Sequence, residues 1–435
     1  MKFFKFFKGG QGSRSNTVFK NMALIATGEG VGKVIGIISL PLITRIYSPE
    51  DIGILTLYNS VIMILLPFGT LKYSDAIILP KTEGLALNLS MLCFLINLLF
   101  SFFTFISFYF FGNGLLNLFG FGTIASYWWL IGISIFLINS YEILYNWNLR
   151  RDNFRLMAKT KSLQNVFGES AKIIIGYMGV KPLGLLLGAV IGRSSGIFSL
   201  LTQYKLDWFS NKKQLLFKRI RILFLFYKDF PLYRLTSYFL FVSSTQVIPV
   251  IITSLFGSSS AGQVGLAMTV IGLPITLIGN SVGQAYYNEI SKIKNYRNNE
   301  LYEITKSVAK KLVMLGIVPF SVVLLLSKPI FVLCFGVKWG EAGEFCSILS
   351  FYLMTQFIAA PLMNALIVLK RQRATLFIHG FRLSSILVIY YISNILKFDI
   401  KTFLLVYSLF LSLHYIFVVL RLFNLIKNER FKGIS

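Results

Sequence analysis

The chain is a succession of long apolar stretches separated by short polar gaps, and each stretch is long enough to cross a bilayer as a helix. A spanning helix needs about 20 predominantly apolar residues. Twelve stretches reach that length, at approximately 18–43, 52–71, 85–111, 124–146, 156–179, 182–204, 232–256, 262–285, 308–335, 345–368, 373–396 and 401–425. Lysine and arginine cluster in every second gap. With the amino terminus counted as inside, 33 of the 43 lie on the cytoplasmic side, five lie within spans, and only Arg45, Lys181, Lys338, Lys397 and Lys401 lie opposite. Cytoplasmic loops carry the excess of basic residues, so both termini are placed in the cytoplasm. The expected fold is an all-α polytopic membrane protein with twelve transmembrane helices.

Composition narrows the function classes. The formal charge of +26 sits in short loops beside apolar spans, where topology and anionic lipid headgroups account for it without a nucleic-acid partner. The start, MKFFKFFKGG, mimics a basic signal region, but its apolar run is too short, and the first span is expected to remain as a membrane helix. Cys93, Cys334 and Cys346 show neither metal-ligand spacing nor a disulfide framework, so no metal site is expected. No glycine-rich phosphate loop ends in Lys-Ser/Thr, and no extracytoplasmic gap is long enough for a soluble catalytic loop. The chain is therefore read as a non-enzyme without a cofactor.

The longest cytoplasmic gap divides the spans six and six. The expected organisation is an N-terminal six-helix lobe at 1–204, a cytoplasmic amphipathic linker at 205–231, and a C-terminal six-helix lobe at 232–435. Within the linker, QLLFKRIRILFLFYKDF alternates basic and apolar positions as an interfacial helix would. The halves echo one another. TRIYSPEDIGILTLYNSVI from Thr44 aligns without gaps to TSLFGSSSAGQVGLAMTVI from Thr253, pairing Thr44 with Thr253, Gly53 with Gly262, Leu57 with Leu266, Val61 with Val270 and Ile62 with Ile271. Six helices per half give the repeats the same orientation, so the pseudo-axis should run along the membrane normal, with substrate between the repeats.

Ionisable residues inside the spans point to a hydrated interior, because a charge at mid-bilayer costs about 2.5–3.5 kcal/mol on insertion scales and usually faces protein or water. Glu29 and Lys33 share a face of the first span beside a Gly28-Gly32-Gly36 ladder; Lys161, Asn165, Glu169 and Lys172 stripe the fifth. Arg193 interrupts the glycine-rich sixth, and Asn139, Glu142 and Asn146 mark the fourth. In the second half Arg371, Thr375, His379 and Arg382 form a stripe, while Lys328 is close enough to an edge to snorkel. Isolated His414 reads as a satisfied histidine of the bundle. Glu29–Lys33 and Glu169–Lys172 read equally as neutral structural pairs and as functional ones. Arg193 and Arg382 have no opposite charge nearby in their own helices, which favours an anionic ligand.

Three strings carry a family resemblance: LPLITRIYSPEDIG at 40–53, LPITLIGNSVGQAYYNEISK at 273–292 and FGVKWGEAGEFCSIL at 335–349. With the twelve spans, they resemble the polysaccharide exporters of the multidrug/oligosaccharidyl-lipid/polysaccharide superfamily. The resemblance implies an O-antigen (Wzx-type) flippase that moves an undecaprenyl-pyrophosphate-linked oligosaccharide across a bacterial inner membrane. It further implies membrane lipids, a polysaccharide polymerase and chain-length proteins as partners. On that reading Lys33, Lys172 and Arg193 are the candidates for the pyrophosphate, with Arg382 as a second-lobe contact. Glu29, Glu142 and Glu169 are the candidates for proton or sodium coupling, and Tyr127, Trp128 and Trp129 serve either as a sugar-stacking surface or as an interfacial belt. One departure stands out: three glutamates offset three cations where a distinctly cationic cavity is expected. The alternative is a cation-coupled multidrug or metabolite antiporter of the same superfamily.

Overall fold

Short sequence signals set two of the sharpest helix boundaries. Ser48 and Asp51 cap a helix reciprocally: Asp51 Oδ2 accepts from the Ser48 N–H and O–H, each at 2.9 Å, while the Asp51 N–H donates to Ser48 Oγ at 3.1 Å. Pro49 takes the first helical position, where no N–H is needed, and Glu50 and Asp51 complement the helix dipole. Far along the chain Gly336, at φ 100°, ends a 36-residue helix in a conformation that L side chains avoid.

The computed structural model describes residues 13–118, 121–211, 214–291, 293, 299–369 and 371–431, and no described residue lies in a strand. The helices are α1 Ser13–Ile46, α2 Pro49–Leu65, α3 Glu83–Leu118, α4 Gly122–Ala125, α5 Trp128–Arg150, α6 Phe154–Tyr177, α7 Leu183–Ser194 and α8 Ile197–Asn211. They continue as α9 Phe217–Phe226, α10 Leu235–Pro274, α11 Asn280–Ile290, α12 Glu300–Phe335, α13 Gly340–Leu362, α14 Asn364–Val368, α15 Gln372–Leu396 and α16 Ile400–Phe431. Among the described residues nine helical stretches are long and apolar enough to cross a membrane. One of these runs 61 residues, Phe230–Ile290. Within it α10 is broken at Gly257, whose φ of 83° and ψ of 172° are not helical. The gap expected between residues 256 and 262 is thus a one-residue break rather than a loop. α6 is not among the nine, being too charged with Lys161, Glu169 and Lys172 along it.

The chain divides into two compact units. The first comprises Met1–Ile46, Leu65–Leu115 and Ser126–Thr236; the second comprises Tyr47–Ile64, Leu116–Ala125 and Ser237–Ser435. In the first unit, glycine brings three helices together backbone to backbone. A Cβ on Gly28 of α1 would lie 2.5 Å from the carbonyl oxygen of Ala158 on α6, and one on Gly168 of α6 would lie 2.8 Å from the Cα of Gly192 on α7. A core containing Tyr73, Trp147, Leu200, Tyr204 and Leu223 packs beside the short helix α9. Asn88 clamps the entry to α9, donating to the Gln214 carbonyl oxygen and accepting from the Leu216 N–H, both at 3.0 Å.

The second unit is knotted around the repeat. A Cβ on Gly53 would overlap the Ser258 carbonyl oxygen and lie 3.0 Å from the Gly262 nitrogen; one on Gly262 would overlap the Pro49 carbonyl oxygen and lie 2.8 Å from the Gly53 nitrogen. Pro49 and Ser258 are themselves equivalent in the sequence repeat, as are Thr56 and Gly265, and a Cβ on Gly265 would lie 2.6 Å from Thr56 Oγ1. Equivalent positions therefore meet one another, the signature of a local two-fold axis running along a parallel helix pair. Two of the three resemblance strings meet here too. Lys338 Nζ donates to the Tyr47 carbonyl oxygen at 2.7 Å; Gln263 donates to the Lys338 carbonyl oxygen at 2.7 Å and accepts from the Ala342 N–H at 3.0 Å.

Added volume at this joint has nowhere to go. Gly53→Ala or Gly262→Ala is expected to cost at least about 3 kcal/mol, the upper end of ordinary overpacking. Gly30→Ala, with nothing within 4 Å of its Cβ, should be neutral or stabilise by up to about 1 kcal/mol. Thermal unfolding of the three purified variants checks the contrast.

Candidate functional site

Three of the predicted cations ride on the three helices that glycine holds together. Gly32 of α1 packs against Asn165 and the Lys161 carbonyl oxygen of α6, which sets Lys33, next in sequence and half-buried, at the level of Asn165. Gln164 of α6 donates to the Arg193 carbonyl oxygen at 2.8 Å, so half-buried Arg193 on α7 sits at nearly the same level. Lys172 lies farther along α6, its stem over Gly188 of α7. At 1.5 Å per residue this is about 10 Å from the Asn165 level. Lys172 Nζ and Glu169 Oε1 form the expected ion pair at 2.8 Å, with side chains only 16% and 15% exposed. The Glu29 side chain falls outside the described residues.

Glu142 is not joined to any of these cations. It accepts from Lys72 Nζ at 3.0 Å and from Ser74 Oγ at 3.1 Å. Sequence reasoning missed Lys72, which reads there as an ordinary loop cation. In the structure it is 6% exposed and adopts φ 60° directly after Leu71 at φ 47°. A left-handed non-glycine residue costs on the order of 1–3 kcal/mol and persists only where its surroundings hold it. The Glu142 pair and the burial of Tyr73 supply that hold. Lys72 also lies 3.8 Å from Asp75, whose other oxygen takes a 3.1 Å hydrogen bond from Arg234. The single advance signal was the i, i+3 spacing of Lys72 and Asp75. Lys72 enters together with Asp75, so four cations (Lys33, Lys72, Lys172, Arg193) stand against four carboxylates (Glu29, Asp75, Glu142, Glu169) and the balance is kept.

Aromatic groups border this region. Lys161 Nζ lies 5.3 Å and 5.1 Å from the Tyr141 and Tyr145 ring centres, within cation–π range. Trp128 packs on Phe105 and Tyr109, with ring centroids 5.1 and 5.6 Å away. A separate cluster, Arg151 bound through Nε and Nη2 to Asp207, with Trp147 Nε1 also donating to Asp207 at 2.9 Å, fastens α5 to α8.

Arg382 belongs to the second unit. It is 3% exposed and donates to the Tyr415 hydroxyl at 2.9 Å. His414 differs from expectation: both its ring nitrogens are buried without a hydrogen-bond partner, and the ring stacks on Phe381 instead. Lys328 is not simply reaching for an edge. It pairs with Glu344 at 2.6 Å, and Lys401 holds the other Glu344 oxygen at 2.7 Å.

A family model described as polysaccharide biosynthesis protein matches residues 42–344. No curated protein matches the chain. Among solved structures, the lipid II flippase MurJ in an inward closed conformation is similar over 93% of this chain and 87% of its own, at 17% identity and TM-score 0.72. An inward-facing multidrug resistance MATE transporter of the MOP superfamily is similar over 93% of this chain and 95% of its own, at 13% identity and TM-score 0.67. A Pyrococcus furiosus MOP transporter, described by a reverse polarity of its binding pocket, covers 94% and 96% at 13% identity and TM-score 0.54. At these identities the likeness is one of fold, and the chain has that fold.

The Lys72–Glu142 pair lends itself to a double-mutant cycle. Glu142→Gln leaves the buried Lys72 ammonium with the longer 3.8 Å contact to Asp75 and should cost up to about 3 kcal/mol. Lys72→Met combined with Glu142→Leu should recover more than half of that loss, read by thermal unfolding of the purified protein.

Proposed function

Since the chain belongs to the polysaccharide biosynthesis protein family, we propose that it is a flippase. Its cargo is an oligosaccharide linked to undecaprenyl pyrophosphate, an O-antigen or other surface-polysaccharide repeat unit, carried from the cytoplasmic to the outer leaflet of a bacterial inner membrane. The observation that carries the reading is the placing of Lys33, Lys172 and Arg193 on α1, α6 and α7, three helices in glycine-mediated contact. Half-buried cations on adjoining helices suit a pyrophosphate, whose charge is met by ammonium and guanidinium donors.

The architecture we assign has twelve crossings, with both termini in the cytoplasm. The break at Gly257 supports counting Phe230–Ile290 as two crossings, and α1 and α6 supply two more. Translocation proceeds by alternating access, as in transporters built from repeats. Arg382 is the second-unit contact, reached when its tyrosine surround opens. Glu29, Glu142 and Glu169 couple the cycle to a proton or sodium gradient, and the product passes to a polysaccharide polymerase and chain-length proteins. No bond of the cargo is made or broken. A cation-coupled antiporter for basic amphipathic compounds would receive them on carboxylates, whereas α1, α6 and α7 bring Lys33, Lys172 and Arg193 to adjoining helices.

Cells depleted of the protein and restored with wild type or with Lys172→Ala plus Arg193→Ala provide the test. An external glycan-modifying probe should label the lipid-linked oligosaccharide with wild type. Labelling should fall at least about tenfold with the well-expressed double variant, since each charged hydrogen bond contributes about 1.5–3 kcal/mol. Undiminished labelling after depletion, in cells with no second flippase, would contradict the reading.

A further inference from the structure

Arg382 is a buried cation with no carboxylate partner among the described residues. Its guanidinium bonds to the Tyr415 hydroxyl at 2.9 Å, lies 5.6 Å from that ring centre, and has the hydroxyls of Tyr352 and Tyr407 beside it. Nε is buried and has no hydrogen-bond partner. The same holds for Nδ1 of His379, one turn earlier on α15, and for both ring nitrogens of His414 on α16. The His414 ring is 5.4 Å from the Tyr415 ring, and the His379 ring is 5.0 Å from Phe241 of α10. Unsatisfied nitrogens from three side chains therefore lie on facing stretches of α15 and α16, beside one charge that has no carboxylate partner among the described residues.

Each buried donor without an acceptor costs about 1–3 kcal/mol, and native proteins rarely carry several together unless water or an ion meets them. Water would satisfy the hydrogen bonds and leave the charge. Phenols offer dipoles and a ring face, again without opposite charge. An anion does both, accepting from Arg382 Nε and the imidazole N–H groups while neutralising the guanidinium. The surround also limits size, since Tyr352, Tyr407, Tyr415 and His414 are all 5% exposed or less. We propose that Arg382, with His379 and His414, forms a binding site for a small inorganic anion of chloride size inside the second unit. The site shares Arg382 with the transport reading, the anion occupying the guanidinium while its tyrosine surround is closed, and its test involves no cargo.

The full-length protein in nanodiscs is titrated with sodium chloride against sodium gluconate at constant ionic strength, and unfolding is followed by intrinsic fluorescence. The expected result is a saturable rise in melting temperature with chloride, abolished in Arg382→Gln. In His414→Ala the apparent affinity should weaken by about tenfold, one hydrogen bond's worth. A rise that is absent in wild type, or unchanged in Arg382→Gln, overturns the proposal in favour of a water-filled cluster. If Arg382→Gln fails to fold, bromide in crystals of the wild type decides. An anomalous peak in contact with Arg382 Nε supports the site, and peaks only elsewhere, or none, overturn it.

Discussion

A charge in an apolar slab must find compensation, and the way each charge finds it organises this molecule. Moving an ammonium or carboxylate out of water costs several kcal/mol even after relaxation, and pairing repays this only when geometry is good. The first unit pairs cation with carboxylate: Lys172 with Glu169 on one helix, and Lys72 with Glu142 between elements. The second unit pairs Lys328 and Lys401 with Glu344 and leaves Arg382 among tyrosines. The two units thus face the same constraint with different chemistry. In the first, cations sit with carboxylates on helices held close by glycine. In the second, one guanidinium is wrapped in phenols.

Glycine is the complementary device. Where it removes a Cβ, helices approach until backbones touch, and the groups beside the contact are fixed in register. α1 on α6 and α6 on α7 are seated in this way, which places Lys33 and Arg193 at nearly one level along α6. The Gly53–Gly262 contact does the same for the repeat and turns a faint sequence echo into a joint between equivalent residues. Two of the strings that carry the family resemblance serve this joint: Pro49 and Gly53 as contact surface, Lys338 and Ala342 as hydrogen-bond partners of Tyr47 and Gln263. The motif marks architecture.

Local features were legible in the sequence. The apolar runs, the glycine ladders and the i, i+3 pairing of Glu169 with Lys172 all follow from spacing along one helix. What could not be read is what spacing does not encode. Lys72 meets Glu142 across 70 residues and from a left-handed turn, so its loop position disguised a buried ion pair. Gly257 breaks a helix in one residue, where apolarity alone suggested a loop. His414 looked ordinary because its surroundings, Phe381 and Arg382 of α15, are set by packing between helices and not by spacing along one.

The central claim is that this family member moves a lipid-linked anionic oligosaccharide, and purified protein tests it most directly. Proteoliposomes loaded with an undecaprenyl-pyrophosphate oligosaccharide in both leaflets, treated outside with a glycan-modifying enzyme, report translocation as the fraction of the pool modified. The account predicts that modification proceeds from about half to nearly all of the pool with wild type and stops near half with Lys172→Ala plus Arg193→Ala. Arrest at half with folded wild type under both proton and sodium gradients, while the same vesicles accumulate a cationic dye, would contradict it and point to the antiporter reading.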